Sequence, residues 1–233
     1  MNAHHKHILI LAAGGMVLAA FLATMPFAQT TPSKQPYGQT KSKHINNGHG
    51  QYGAAEELRA EMRRLWMDHI SYTHDYVVSA TNRLPNQQAV ANRLLRNQDD
   101  IGNAIEPYYG AAAAKKLSAL LREHIMIATE VVKAAQANDK TQLSTQQQKW
   151  SANGKDIATF LAGANPNWKQ ADLEQMMQQH LDLLTEQVTA ALTKNWEKEI
   201  DAYDRGEEHI LMMADALSSG IEKQFPDKFA QAE

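Results

Sequence analysis

LSALLREHIMIATEVVKAA, residues 117–135, returns 56 residues later as LEQMMQQHLDLLTEQVTAA, residues 173–191. Leu117, His124, Thr129, Glu130, Val132, Ala134 and Ala135 fall on identical residues: Leu173, His180, Thr185, Glu186, Val188, Ala190 and Ala191. Both stretches place apolar side chains at three- and four-residue steps, the period of a helix with one face in a core. His124 and His180 lie on that apolar stripe. The same shift sets Asn97, Asp100 and Ile101 on Asn153, Asp156 and Ile157, and a shift of 55 sets Asp68-His69-Ile70 on Glu123-His124-Ile125. One two-helix unit is thus written three times, and a unit of this length is a helical repeat or a hairpin of a closed bundle.

From Gly53 onward no run of alternating β-branched residues interrupts this period. Helices are expected at about 53–82, 87–107, 111–137, 141–162 and 168–193, with a last one beyond. Leu84-Pro85, Tyr109-Gly110, Asn138-Asp139 and Pro166-Asn167 supply turns between them. The last break is weaker, because Thr193-Lys194-Asn195-Trp196 holds no Gly or Pro, and Arg205-Gly206 is its competitor. The expected fold is all-α, an antiparallel bundle of about six helices built from three related hairpins.

Six polar residues stand at near-constant intervals on these stripes: His69, Asn97, His124, Asn153, His180 and His209, spaced by 28, 27, 29, 27 and 29. Residues equidistant from a turn share a height in antiparallel helices. The six therefore form one layer about 20 Å from each end at 1.5 Å rise per residue. His209 fits its stripe least well, beside the Ile210, Met213, Leu217 and Ile221 face.

Around this domain the chain reads differently. His4, His5, Lys6 and His7 precede an apolar run from Ile8 to Met25 that ends in Pro26-Phe27-Ala28. Residues 1–28 thus resemble an export signal cleaved after Ala28, or else an N-terminal anchor in the inner membrane through residues 8–25. Either reading places the domain in the periplasm or outside the cell. Residues 29–52, QTTPSKQPYGQTKSKHINNGHGQY, have the composition of a disordered linker, with His44 and His49 in it. The bundle is expected over 53–226 and a short tail over 227–233. With no cysteine, an exported domain must be held by packing alone, and thiolate chemistry is excluded. A net charge of -3, from 23 basic and 26 acidic residues without a basic stripe, argues against a nucleic-acid partner.

A single histidine on a core stripe is ordinarily a structural residue with its ring nitrogens bonded. Four at one height suggest a shared ligand, because each buried polar group without a partner costs about 1–3 kcal/mol. Imidazole suits zinc, copper, iron and nickel, and thioethers near His124, His180 and His209 (Met126, Met176, Met177, Met212, Met213) add a taste for copper. The expected ligands of a copper or zinc ion are His69, His124, His180 and His209. Asn97, Asp100, Asn153 and Asp156 are expected to hold their rings. Glu-x-x-His, the signature of di-iron carboxylate bundles, is absent at these histidines, and no haem-attachment, phosphate-loop or nucleophile-elbow motif occurs. No catalytic residue is assigned, and an enzyme would need an open position on the metal.

Trp66-x-x-His69, Asn97-x-x-Asp100-Ile101, Glu123-His124-Ile125, Asn165-Pro166-Asn167-Trp168 and Ala202-Tyr203-Asp204 followed by His209-Ile210-Leu211 together resemble a family of small bacterial exported helical proteins of unassigned function, over about 53–226. That resemblance implies a helical fold and no activity. Two functions follow from the residues. One is storage, buffering or delivery of a metal ion. The other is a structural or interaction role, with an envelope protein as partner, in which buried polar groups set helix register.

Overall fold

The structure, a computed structural model, describes residues 53–230. The expected signal, the linker with His44 and His49, and the last three residues lie outside the described residues. Six helices follow in order: α1 (Ala54–Thr81), α2 (Gln87–Ala104), α3 (Glu106–Gln136), α4 (Lys140–Ala164), α5 (Gln170–Leu192) and α6 (Trp196–Gln224), with a final 3-10 turn (Pro226–Lys228). The described residues hold no strand. None of their helices is long and apolar enough to cross a membrane.

Helix ends follow from local chemistry. Asp139 Oδ1 accepts from the Gln142 N–H at 3.0 Å to open α4, and Asn195 Oδ1 accepts from the Lys198 N–H at 3.3 Å to open α6. The odd-numbered helices all stop in one way. Arg83, Asn138 and Lys194 take the left-handed conformation at φ 55, 52 and 57°. In each case the next residue's N–H reaches back to a carbonyl in the last turn: Leu84 to Ser79, Asp139 to Ala134 and Asn195 to Ala190. The last break therefore falls at Lys194, and α6 runs unbroken through Gly206. Pro85 and Asn138-Asp139 mark the other two stops, whereas neither Gly nor Pro marks this one. Gly110, at φ 80°, kinks α3 between a first short turn and the long helix expected from 111.

Each helix packs on its neighbours in the chain, and α6 returns to lie against α1, so the bundle closes. α1, α3 and α5 also touch one another, forming the inner set. Two apolar clusters fill the interior. One contains Met62, Leu65, Trp66, Ile101, Leu117, Ile157, Leu173, Ile210 and Leu217. The other contains Tyr76, Val77, Ala91, Val132, Trp150, Leu184 and Val188. Each large side chain so buried contributes roughly 1.5–3 kcal/mol. On α1 to α5 the polar layer falls between the two clusters, and on α6 it bounds the first.

Side-chain packing continues to Phe229. Phe229 stacks on Tyr108, with ring centroids 5.6 Å apart. Trp168 packs against Gly220 and donates from Nε1 to the Ala216 carbonyl at 3.2 Å. A Cβ on Gly220 would fall 1.8 Å from the indole nitrogen.

Two substitutions test these constraints. Lys194→Gly relieves a left-handed residue that costs roughly 1–2 kcal/mol, against about 0.5–1 kcal/mol of lost chain entropy, and should raise the thermal midpoint by a degree or more. Gly220→Ala should lower the midpoint by displacing Trp168. Circular dichroism melts read both, and a Lys194→Gly protein that melts earlier would contradict this account of the turn.

Candidate functional site

All six layer residues are buried, none more than 4% exposed. Their bonds share one pattern. Asn97 on α2 donates from Nδ2 to the Leu65 carbonyl at 2.9 Å, and Asn153 on α4 donates to the Leu120 carbonyl at 3.2 Å. On α6, His209 Nε2 donates to the Met176 carbonyl at 2.9 Å. Leu65, Leu120 and Met176 each stand four residues before His69, His124 and His180. Such a carbonyl already accepts the histidine's own backbone N–H, and its second lone pair takes the donor from the next helix. Each hairpin is stitched at the same height.

These bonds fix the rings. Asn153 donates to Leu120, so its Oδ1 faces His124 Nδ1 at 2.7 Å and accepts the ring proton, leaving Nε2 bare. His124 Nε2 has no hydrogen-bond partner. His209 must carry its proton on Nε2 to donate to a carbonyl, so Nδ1 is bare and also without a partner. His69 Nδ1 lies 3.2 Å from Gln98 Nε2, which also reaches the Leu94 carbonyl at 2.9 Å and Asn97 Oδ1 at 3.1 Å.

Three of the histidines meet on the inner helices. The His69 and His180 rings stand 5.6 Å apart and the His124 and His180 rings 6.1 Å apart, centroid to centroid. Trp66 sets its ring edge-on to His69 at 5.6 Å, and Trp150 covers His124 at 5.3 Å. Burial pushes His69 down to about 3, with the neighbouring His124 adding to the effect. Burial likewise holds His124 at about 4, against the opposing Asn153 bond. His180 lies well below its ordinary range, through burial first and then through His69, His124 and His209.

The expected carboxylate supports are elsewhere. Asp100 is exposed and faces Arg93 at 3.9 Å, while Asp156 is exposed beside the groove that Glu123, Glu130 and Lys149 line. A residue three positions on from Asn97 or Asn153 is turned off the narrow buried stripe, and an unpaired carboxylate cannot follow it inward without a large desolvation penalty. Among the described residues, no three His, Asp or Glu side chains stand in the geometry of a metal site.

Two participants were overlooked in the sequence. Gln98, fully buried, continues the Leu94 stripe at a four-residue step, and Gln187 continues the His180–Leu184 stripe. Both were legible by periodicity. Gln187 Nε2 bridges Glu199 Oε1 and His74 Nδ1, each at 2.8 Å, and His74 lies 3.2 Å from Glu199, joining α5, α6 and α1 in a second polar cluster. No spacing rule ties His74 to Glu199, 125 residues away.

Compared with models of protein families, with curated proteins and with solved structures, the chain matches none.

The buried rings make stability depend on pH. Folding keeps them neutral, whereas the unfolded chain protonates its imidazoles below about 6.5 and so binds more protons there. Stability should be complete above about pH 6.5 and fall as pH drops toward 4 and 3. Urea midpoints at pH 7.5 and 4.5 check this. Equal midpoints would contradict it.

Proposed function

We propose that this chain is an exported, non-enzymatic helical-bundle protein that acts as a structural or interaction element of the cell envelope, in which the His/Asn layer sets how three similar hairpins pair. The observation that carries this reading is the threefold stitch of α2, α4 and α6 onto the carbonyls four residues before His69, His124 and His180. Three related hairpins packed by apolar contacts alone could slide or exchange partners with little change in buried area. A donor that finds its carbonyl at one height only removes that freedom, as buried polar groups do in coiled coils. The pairing of rings with amides and a carbonyl, with the carboxylates outside, supports this reading over the four-histidine metal set of His69, His124, His180 and His209.

A double-mutant cycle on His124 and Asn153 tests it. Asn153→Leu leaves the His124 Nδ1–H and the second lone pair of the Leu120 carbonyl without partners and should cost about 1–3 kcal/mol. Replacing both residues by Leu removes the ring donor as well, leaving only the carbonyl's second lone pair, and should recover most of that loss. The double variant should nonetheless show broadened or doubled amide resonances, as register is less well defined. Urea unfolding gives the energies. Strictly additive losses with a single sharp set of resonances would sink the register role.

A further inference from the structure

We infer that the bundle end made of the α1–α2, α3–α4 and α5–α6 turns rests on an anionic phospholipid surface, with Trp196, Ile200 and Leu84 in the lipid interface and Arg83, Lys140, Lys194 and Lys198 against the headgroup phosphates. The inference rests on the envelope reading above and names its partner.

The first support is where the exposed apolar side chains stand. Among the described residues five large ones are exposed, and Leu84, Trp196 and Ile200, at 41, 51 and 56%, belong to this end. Leu84 lies in the turn after α1, and Trp196 opens α6 with Ile200 one turn further on the same face. The two helices adjoin. His74 and Tyr203 meet with ring centroids 4.7 Å apart, each seven residues from the end of its helix at this side, so Thr81 and Trp196 share a height. At the opposite end the aromatic side chains are packed away, Tyr108 on Phe225 and Phe229, and Tyr109 on Trp168. A single exposed apolar residue is ordinary, whereas a group of them rimmed by polar residues marks an interaction surface.

The second support is charge, and it selects the partner. The three turns, with the first turn of each helix they open, present Arg83, Lys140, Lys194 and Lys198 as exposed cations. Of the acids there, Asp139 caps α4 and Glu199 is buried against Gln187, which leaves Glu197. In a chain of net charge -3 this end therefore carries a local positive excess. An indole seats at headgroup level in a bilayer, and cations beside it meet lipid phosphates. No described helix is long and apolar enough to cross a membrane, so the contact is with the surface.

The third support is backbone strain. Arg83 and Lys194 hold the left-handed conformation at φ 55 and 57°. Glycine takes that conformation freely, and Asn138 shows that an uncharged residue stops a helix at this end equally well. A long cation kept in a strained conformation at both stops beside the apolar group points to a role outside the fold.

The test uses the full chain and vesicles of phosphatidylglycerol and phosphatidylcholine with brominated acyl chains, which quench indole emission on contact. The apolar run 8–25 can by itself attach the chain to a vesicle, so attachment is not the readout. Of the four tryptophans, Trp66, Trp150 and Trp168 are buried, and quenching reports on Trp196. The expected result is quenching that weakens as salt is raised and disappears in Trp196→Phe. Arg83→Gly with Lys194→Gly should lower the ratio of quenched to unquenched Trp196 roughly fivefold per charge removed, in a protein that melts no earlier. No quenching, quenching unchanged in Trp196→Phe, or equal quenching on vesicles of phosphatidylcholine alone would each overturn the proposal. So would shielding of Trp196 from a soluble quencher by rising protein concentration without lipid, which would assign the surface to a second copy of the chain. The lipid-free His124/Asn153 cycle reads the register role separately, so either can fail alone.

Discussion

A carbonyl inside a helix carries two lone pairs, and the helix uses one of them. Where a neighbouring helix brings a donor to the second, the two helices are locked at a single height. The bundle applies this constraint once per hairpin, at Leu65, Leu120 and Met176. Because the donors are fully buried, water cannot take the carbonyl's place. The apolar clusters above and below supply most of the burial energy but are tolerant of sliding, since Leu on Met or Ile is nearly as good one turn away. The polar layer lacks that tolerance, and the pairing of the hairpins depends on it.

The three stitches are equivalent in position and unlike in chemistry. In the second hairpin one asparagine serves both the carbonyl and the ring. In the first the task is divided between Asn97 and Gln98. In the third a histidine takes the asparagine's place and serves the carbonyl only. His180 is consequently held by ring contacts with His69 and His124. His124 Nε2 and His209 Nδ1 are left without hydrogen-bond partners, as are Gln98 Oε1 and the indole nitrogens of Trp66 and Trp150 beside the layer.

Burial also links the layer to solution conditions. Keeping imidazoles neutral in the folded state, well below their ordinary range, makes acid a destabilising agent at the middle of the bundle. The second polar cluster, where Gln187 and His74 surround Glu199, ties α1, α5 and α6 in the half of the bundle lined by Tyr76 and Val188, and α6 contributes nothing to the apolar cluster there. α6 is thus held by apolar contacts on one side of the layer and by polar ones on the other.

The sequence by itself determined the helices, their approximate ends, the three hairpins and the height of the polar layer, because the 3.6-residue period and the 55- and 56-residue spacings are properties of the chain alone. It reached the break at Lys194 only as one of two candidates, since this left-handed stop has neither a Gly nor a Pro beside it, unlike the stop at Arg83 with Pro85. Tertiary structure decided what the layer residues touch. Spacing places Asn153 and Asp156 on one helix but does not say which of them turns inward. Desolvation keeps the carboxylate out and admits the amide. It was also the closing of α6 onto α1 that brought His74 to Glu199. Contacts between residues so far apart in the chain are set by which faces meet when the bundle closes, and no local pattern carries that information.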